Sequence, residues 1–150
     1  MLFNVKSLFP KSKKVGRRNW GKEILLSIVS KKYSFKFLEI KKGKKGGLQY
    51  HRKKNECGYL LSGKLLVRYD LGNKVLKKKL LKKGDVFHFP PKLVHQEIAI
   101  TDCKIIEVST PHFNDRVRVE KKYNLKVGKG LQSTKLSEII VKWKLIPKIN

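Results

Sequence analysis

Four side chains of the right kinds for metal chemistry stand at suggestive spacings. Gln49 and His51 are two residues apart, Glu56 follows after Arg52-Lys53-Lys54-Asn55, and His95 comes behind a Pro90-Pro91 turn. On a strand, Gln49 and His51 share one face. Two imidazoles, a carboxylate and an amide oxygen suit a borderline divalent ion: zinc, iron(II), manganese, nickel or cobalt. The set holds too few oxygens for calcium. Four protein ligands leave room in a five- or six-coordinate shell for water or substrate oxygens, the mark of a catalytic site. Plainer readings exist: polar residues of a surface turn, and a core histidine for His95. Gln49, a weak amide ligand, also suits a place just behind the shell.

Other residues are candidates for work around such a centre. Lys36 alternates with Phe35 and Phe37 and shares a face with Leu38 and Ile40. An inward lysine needs a partner or a shifted pKa, which makes Lys36 a candidate proton shuttle or phosphate contact. The plainer reading is an edge lysine whose head reaches solvent. Arg118 is a candidate clamp for a phosphate or carboxylate, against a surface salt bridge. Lys53 is a weaker anion contact. His88 reads as structural or pocket-lining, and His112 as a loop residue. Trp20 reads as a packing anchor. Cys57 neighbours Glu56, but alternation turns it to the other face.

The elements that must position these groups read as short strands. From Trp20 onward, apolar segments are separated by Gly, Pro, Asn and Lys clusters every 8–12 residues or so, the rhythm of a sandwich or barrel. Strands are expected at 23–29, 33–40, 47–51, 57–62, 64–70, 74–81, 85–89, 94–100 and 103–108. Ser62-Gly63 and Leu71-Gly72-Asn73-Lys74 are turn signals. Residues 1–19 read as a basic, flexible or surface-hugging lead-in, and residues 112–130 as loop and extended chain leaving the barrel. Leu136, Ile139, Ile140 and Trp143 fall on one face of a short helix over 134–145, which Pro147 ends.

Composition narrows the classes. The chain has 150 residues, 40% hydrophobic and 32% charged, enough for one domain with a core and against disorder. No apolar run approaches the roughly 20 residues of a membrane span, and no signal peptide is read at the N-terminus. Two cysteines make neither a disulfide framework nor a zinc knuckle, so a reducing, cytoplasmic setting is expected. The net charge of +26 invites nucleic acid as a partner. Yet only six of the 37 basic residues are arginines, and the lysines are spread along the whole chain. Nucleic acid is therefore not favoured, whereas a small anion such as a sugar phosphate would be drawn to a cleft.

The segments Gly43 to Gly63, carrying Gln49-Tyr50-His51 and Glu56, and Gly84 to His95, carrying Pro90-Pro91, resemble the paired motifs of the cupin superfamily. Gln49 stands where the first motif usually has histidine, and Lys92 where the second has glycine. Trp20-Gly21-Lys22-Glu23, Leu48-Gln49-Tyr50-His51, Leu61-Ser62-Gly63, Gly84-Asp85-Val86-Phe87-His88 and Val108-Ser109-Thr110-Pro111 resemble the cupin region of type II phosphomannose isomerases. Those enzymes are histidine-rich where this chain has Arg52-Lys53-Lys54. The resemblance covers residues 20–123, which divides the chain into the lead-in 1–19, a barrel 20–123 and an extension 124–150.

The resemblance implies an all-β double-stranded β-helix, the cupin jelly-roll barrel, with a short C-terminal helix. It implies one divalent transition metal ion on Gln49, His51, Glu56 and His95, and a homodimer. The implied activity is that of a sugar-phosphate isomerase of mannose-6-phosphate type. The metal would stabilise an enediolate, with Lys36 or a metal-bound hydroxide as base. Arg118 and Lys53 would hold the phosphate, with His88 lining the substrate pocket. The alternative is a non-catalytic metal-binding cupin that takes a sugar or sugar nucleotide.

Overall fold

The computed structural model describes residues 13–14, 18–30, 32–112 and 115–128. The elements are β1 (Lys13–Lys14), β2 (Gly21–Ser30), β3 (Tyr33–Ile40), β4 (Gln49–His51), β5 (Glu56–Ser62), β6 (Lys64–Asp70), β7 (Lys77–Lys82), β8 (Val86–Phe89), β9 (Val94–Ala99), β10 (Cys103–Ser109) and β11 (Arg116–Arg118), then a 3-10 turn, Glu120–Tyr123. They form two antiparallel sheets, ordered β1-β2-β3-β10-β5-β8 and β11-β4-β9-β6-β7. This is the expected all-β jelly roll. The expected helix over 134–145 lies outside the described residues.

Alternation builds the core. Along β3, residues 34, 36, 38 and 40 are buried and the residues between them are more open. Leu38 and Ile40 meet Leu60, Leu65, Ile105 and Phe89 between the sheets, with Trp20 packed against them as an anchor. Alternating burial on the facing sheets is what period-2 patterning produces. Side-chain oxygens hold the turns. Asp70 accepts from the backbone N–H of Gly72, Asn73 and Lys74, so the chain turns through residues where strand was expected, and β7 starts at Lys77 rather than 74. Gly63, at φ +97, sits where a Cβ would lie 2.3 Å from the Asp102 carbonyl oxygen, so the β5–β6 hairpin tolerates no side chain there. β7 edges its sheet with Lys77, Lys78 and Lys79 exposed, which discourages further strand pairing.

Both ends of the barrel depart from expectation. Lys13 and Lys14 of the lead-in pair with Leu25 and Ile24 as an added edge strand. Residues 116–118 do not leave the barrel. They return as β11, with Arg116, Val117 and Arg118 opposite His51, Tyr50 and Gln49. Three residues of ladder give too little periodicity to read from sequence. What fixes the return is Asp115, which is fully buried and accepts from the backbone N–H of Lys53 and Lys54.

Candidate metal centre

The ligand candidates converge from both sheets. β4 carries Gln49 and His51, and β9 sets His95 opposite Gln49. Glu56 opens β5 in the facing sheet. His51, Glu56 and His95 are all buried, and one ligand atom from each lies within 4.8 Å of the others. Nε2 of His95 is 3.2 Å from Glu56 Oε1, and Nε2 of His51 is 3.7 Å from the same oxygen. Gln49 is half-buried and stands between His95 and Arg118 in register.

Each ring is prepared for its place. His95 stacks on Phe89 with centroids 4.2 Å apart, and its Nδ1 lies 3.0 Å from the Leu93 carbonyl oxygen. With the proton on Nδ1, Nε2 faces the centre, a common arrangement behind metal-bound histidines. Burial works against a charge on His95, but the Glu56 carboxylate outweighs it and raises its pKa. His51 is different. Burial drives its pKa down to about 3 despite Glu56, so the ring is neutral. Its Nδ1 is buried without a hydrogen-bond partner, and its Nε2 stands beyond hydrogen-bond reach of Glu56. A buried neutral ring with Nδ1 unpaired, and Nε2 turned to a carboxylate too distant to bond, is suited to a coordinate bond. The donor set therefore fits a borderline divalent ion.

Behind Glu56 runs a chain of charges of alternating sign. Lys54 is buried, bonds Glu56 Oε2 and lies 2.7 Å from Glu107 Oε1. Burial alone would lower the Lys54 pKa, but Glu107 and Glu56 more than offset it and raise it. Burial would raise the Glu56 pKa, and Lys54 with the two histidines holds it well below the usual range. Glu107 also faces Lys36 at 3.6 Å, Lys36 lies 2.9 Å from Glu23 Oε1, and Glu23 Oε2 takes Arg18 Nε at 2.5 Å. Glu23 is pulled down to about 2: burial opposes its charge, and Lys36 and Arg18 prevail. Glu23, Lys36, Glu107 and Glu56 come from β2, β3, β10 and β5, neighbours in one sheet, and Arg18 and Lys54 stand just before β2 and β5. Across the interior, Glu97 shares the inward face of β9 with His95, opposite the core residue Val67. Burial, and then the Glu56 carboxylate, push the Glu97 carboxyl up to about 7.

The other expected residues fare differently. Lys36 points inward as alternation requires, but between two carboxylates. Arg118 forms a salt bridge, buried rather than on the surface: its Nε lies 2.6 Å from Glu120 Oε1, and the same oxygen accepts from Leu48 N. Lys53 is exposed and contributes a backbone N–H to Asp115. His88 is not pocket-lining. It stands opposite Cys57 on the exposed outer face of β8, bonded to Asn55. Cys57 is turned outward, as alternation predicts. His112 is half-buried in the loop after β10. Lys54, Glu107, Glu23, Glu97 and Asp115 were not anticipated. For Glu107 and Glu23 a signal existed, an acid in phase with the apolar residues of a strand. For Lys54 none did, because Arg52-Lys53-Lys54 reads as a solvated basic turn.

The family model described as "Cupin domain" matches residues 36–109, a span that holds Gln49, His51, Glu56 and His95. Among solved structures, the capsular polysaccharide assembling protein CapF from Staphylococcus aureus superposes with TM-score 0.61 at 18% identity, over 71% of this chain and 34% of CapF. KdgF from Halomonas sp. gives 0.57 at 18% identity, over 69% of this chain and 91% of that one. Oxalate decarboxylase from Lactobacillus farciminis gives 0.60 at 20% identity, over 73% and 34%. The chain thus spans about a third of CapF, and these likenesses show the fold. Comparison with curated proteins returns no match. No helix among the described residues is long and apolar enough to cross a membrane.

Proposed function

Taking the cupin domain at residues 36–109 as the premise, we propose that this chain is a metal-dependent sugar-phosphate isomerase of mannose-6-phosphate type. The observation that carries the reading is the meeting of His51 Nε2 and His95 Nε2 at one buried Glu56 oxygen. His51, His95 and Glu56, with Gln49 beside them, would hold the ion. A divalent ion there supplies Lewis acidity to neighbouring sugar oxygens. Lys54 occupies the far oxygen of Glu56 and leaves Oε1 as the donor toward the histidines. Arg118, its plane fixed by Glu120, holds the phosphate. Lys36 does not suit the base, because an ammonium between Glu23 and Glu107 has no lone pair to offer. Glu97, inward beside His95, takes the base's place and moves the proton between C2 and C1.

The same locked lysine favours a second reading, a metal-binding cupin that binds a sugar or sugar nucleotide without turnover. The role of CapF, a capsular polysaccharide assembling protein, accords with a carbohydrate ligand in either case. A homodimer is expected through the outer face of the larger sheet. There Ile24, Phe37, Ile106, Tyr59 and Val86 lie in one cross-strand row, which Lys14 extends at the β1 edge, and Phe35, Val108, Cys57 and His88 lie in the next. A chain this cationic associates with itself most readily through rows where apolar side chains outnumber charged ones.

Elemental analysis of the full chain beside His51→Ala/His95→Ala tests the centre. About one transition ion per chain, lost in the double variant, is expected. Turnover of mannose 6-phosphate that a chelator abolishes would establish the isomerase, and binding without turnover would establish the second reading. A centre that zinc, iron and manganese all fail to fill would overturn both.

A further inference from the structure

Arginine is scarce in this chain, and its placement is uneven. Four of the six arginines, Arg18, Arg68, Arg116 and Arg118, line one cavity of about 1000 Å³ beside β11. They come from the lead-in, from β6 and from β11, so sequence proximity accounts only for the last two. Where lysines are so abundant, general solubility needs no arginine. A planar fork of N–H donors is the feature lysine cannot supply, and it matches the paired oxygens of phosphate.

Charge in this cavity is unbalanced. Seven basic side chains face it against one acid, Glu120, which Arg118 already engages. Arg18 is likewise engaged by Glu23. Arg116 is largely buried, with Arg18 and Arg118 close enough to disfavour its charge, burial being the larger cause. Arg68 holds Gln96 through Nη1 at 3.4 Å, while its Nε is buried without a partner. Gathering guanidinium groups in a partly dry space is unfavourable unless an anion completes it. A single phosphate fills little of such a volume and neutralises about two of the charges. Trp20 and Leu125 add an apolar wall to the same cavity.

We propose that this cavity binds an organic diphosphate, with the two phosphates among Arg18, Arg68, Arg116 and Arg118 and the organic part against Trp20 and Leu125. The site goes beyond the isomerase reading, which asks for one phosphate on Arg118, and it stands whether or not the chain turns over a sugar or holds a metal.

The test uses the full chain, stripped of metal, at fixed ionic strength. Calorimetry should show inorganic pyrophosphate binding at least tenfold tighter than inorganic phosphate, and ADP at least as tightly as pyrophosphate. Arg68→Gln/Arg116→Gln should weaken pyrophosphate at least tenfold. Lys77→Gln/Lys79→Gln, on the exposed edge strand, should change it less than twofold. If the double arginine variant fails to fold, Arg68→Gln alone carries the comparison, and labelling with phenylglyoxal supplies a second readout on the unaltered chain. Pyrophosphate should shield the four cavity arginines and leave Arg52 labelled at its original rate. Equal binding of phosphate and pyrophosphate, or equal loss in the lysine variant, would overturn the proposal in favour of diffuse attraction. Displacement of pyrophosphate by duplex DNA, with a steep salt dependence, would overturn it in favour of nucleic acid.

Discussion

Inside the barrel, Lys36 and Lys54 each sit between two carboxylates, and Arg18 closes the series on Glu23. Around the cavity beside β11, seven basic side chains face one acid. Both regions are partly or wholly buried, and both belong to a chain of net charge +26. The difference teaches that net charge is a poor guide to where charge matters. In the interior, each cation is matched within a few ångströms, and the result is order. In the cavity, Arg18 and Arg118 are paired as closely, yet positive side chains still outnumber the one acid on its wall.

The contrast makes the interior the costlier place to remove a charge. Glu107→Leu takes a shared partner from Lys36 and Lys54, and is expected to destabilise the chain by about 3–5 kcal/mol in urea titrations. Adding Lys54→Met to that variant should recover part of the loss. A cost under about 1 kcal/mol would mean that the ladder is not formed.

Glu23 gives the pH counterpart. Its folded pKa of about 2 lies below the ordinary 4.5, so its contribution is present above pH 4.5 and lost as pH falls toward 2. The size is about 3 kcal/mol, since each pKa unit corresponds to ~1.4 kcal/mol. Melting temperatures between pH 6 and pH 2 should fall less steeply in Glu23→Gln than in the parent chain.

A smaller effect is expected at the centre. Lys54→Met removes a cation next to Glu56, and metal affinity should rise by about tenfold or more in competition with a coloured chelator. A drop instead would show that Lys54 matters more for holding Glu56 in place than for its charge. The smallest effect belongs to the cavity. Arg68→Gln should leave urea stability within about 0.5 kcal/mol, because its guanidinium makes one long bond to Gln96.

The sequence is most legible where one strand carries the whole signal. Alternation along β3, β5 and β10 places the core, Lys36 and the outward Cys57. The motif spacing brings His51, Glu56 and His95 to one point. The ladder was hidden because its members, Glu23, Lys36, Lys54 and Glu107, lie far apart in the chain and meet only through strand pairing. His88 was misread for a related reason. Its place after Gly84 gives no phase, and only its pairing with Cys57 shows which face it takes. β11 escaped because a three-residue strand has no period. The arginine cavity draws on residues from the lead-in to β11, so composition revealed the scarcity of arginine but not its gathering.

The grip of Asp115 on the backbone of Lys53 and Lys54 spans 62 and 61 residues of chain. A nascent chain exposes His51 and Glu56 long before the residue that fixes the turn between them has been made. Contacts of such separation are slow to form, because a long loop must close first. An ion that arrives early meets an unfinished set of donors, first without His95 and then without the carboxylate that holds the turn. During biosynthesis, the gathering of the three candidate ligands around a fixed turn is therefore one of the last steps this barrel completes, and it coincides with the arrival of the arginines of β11.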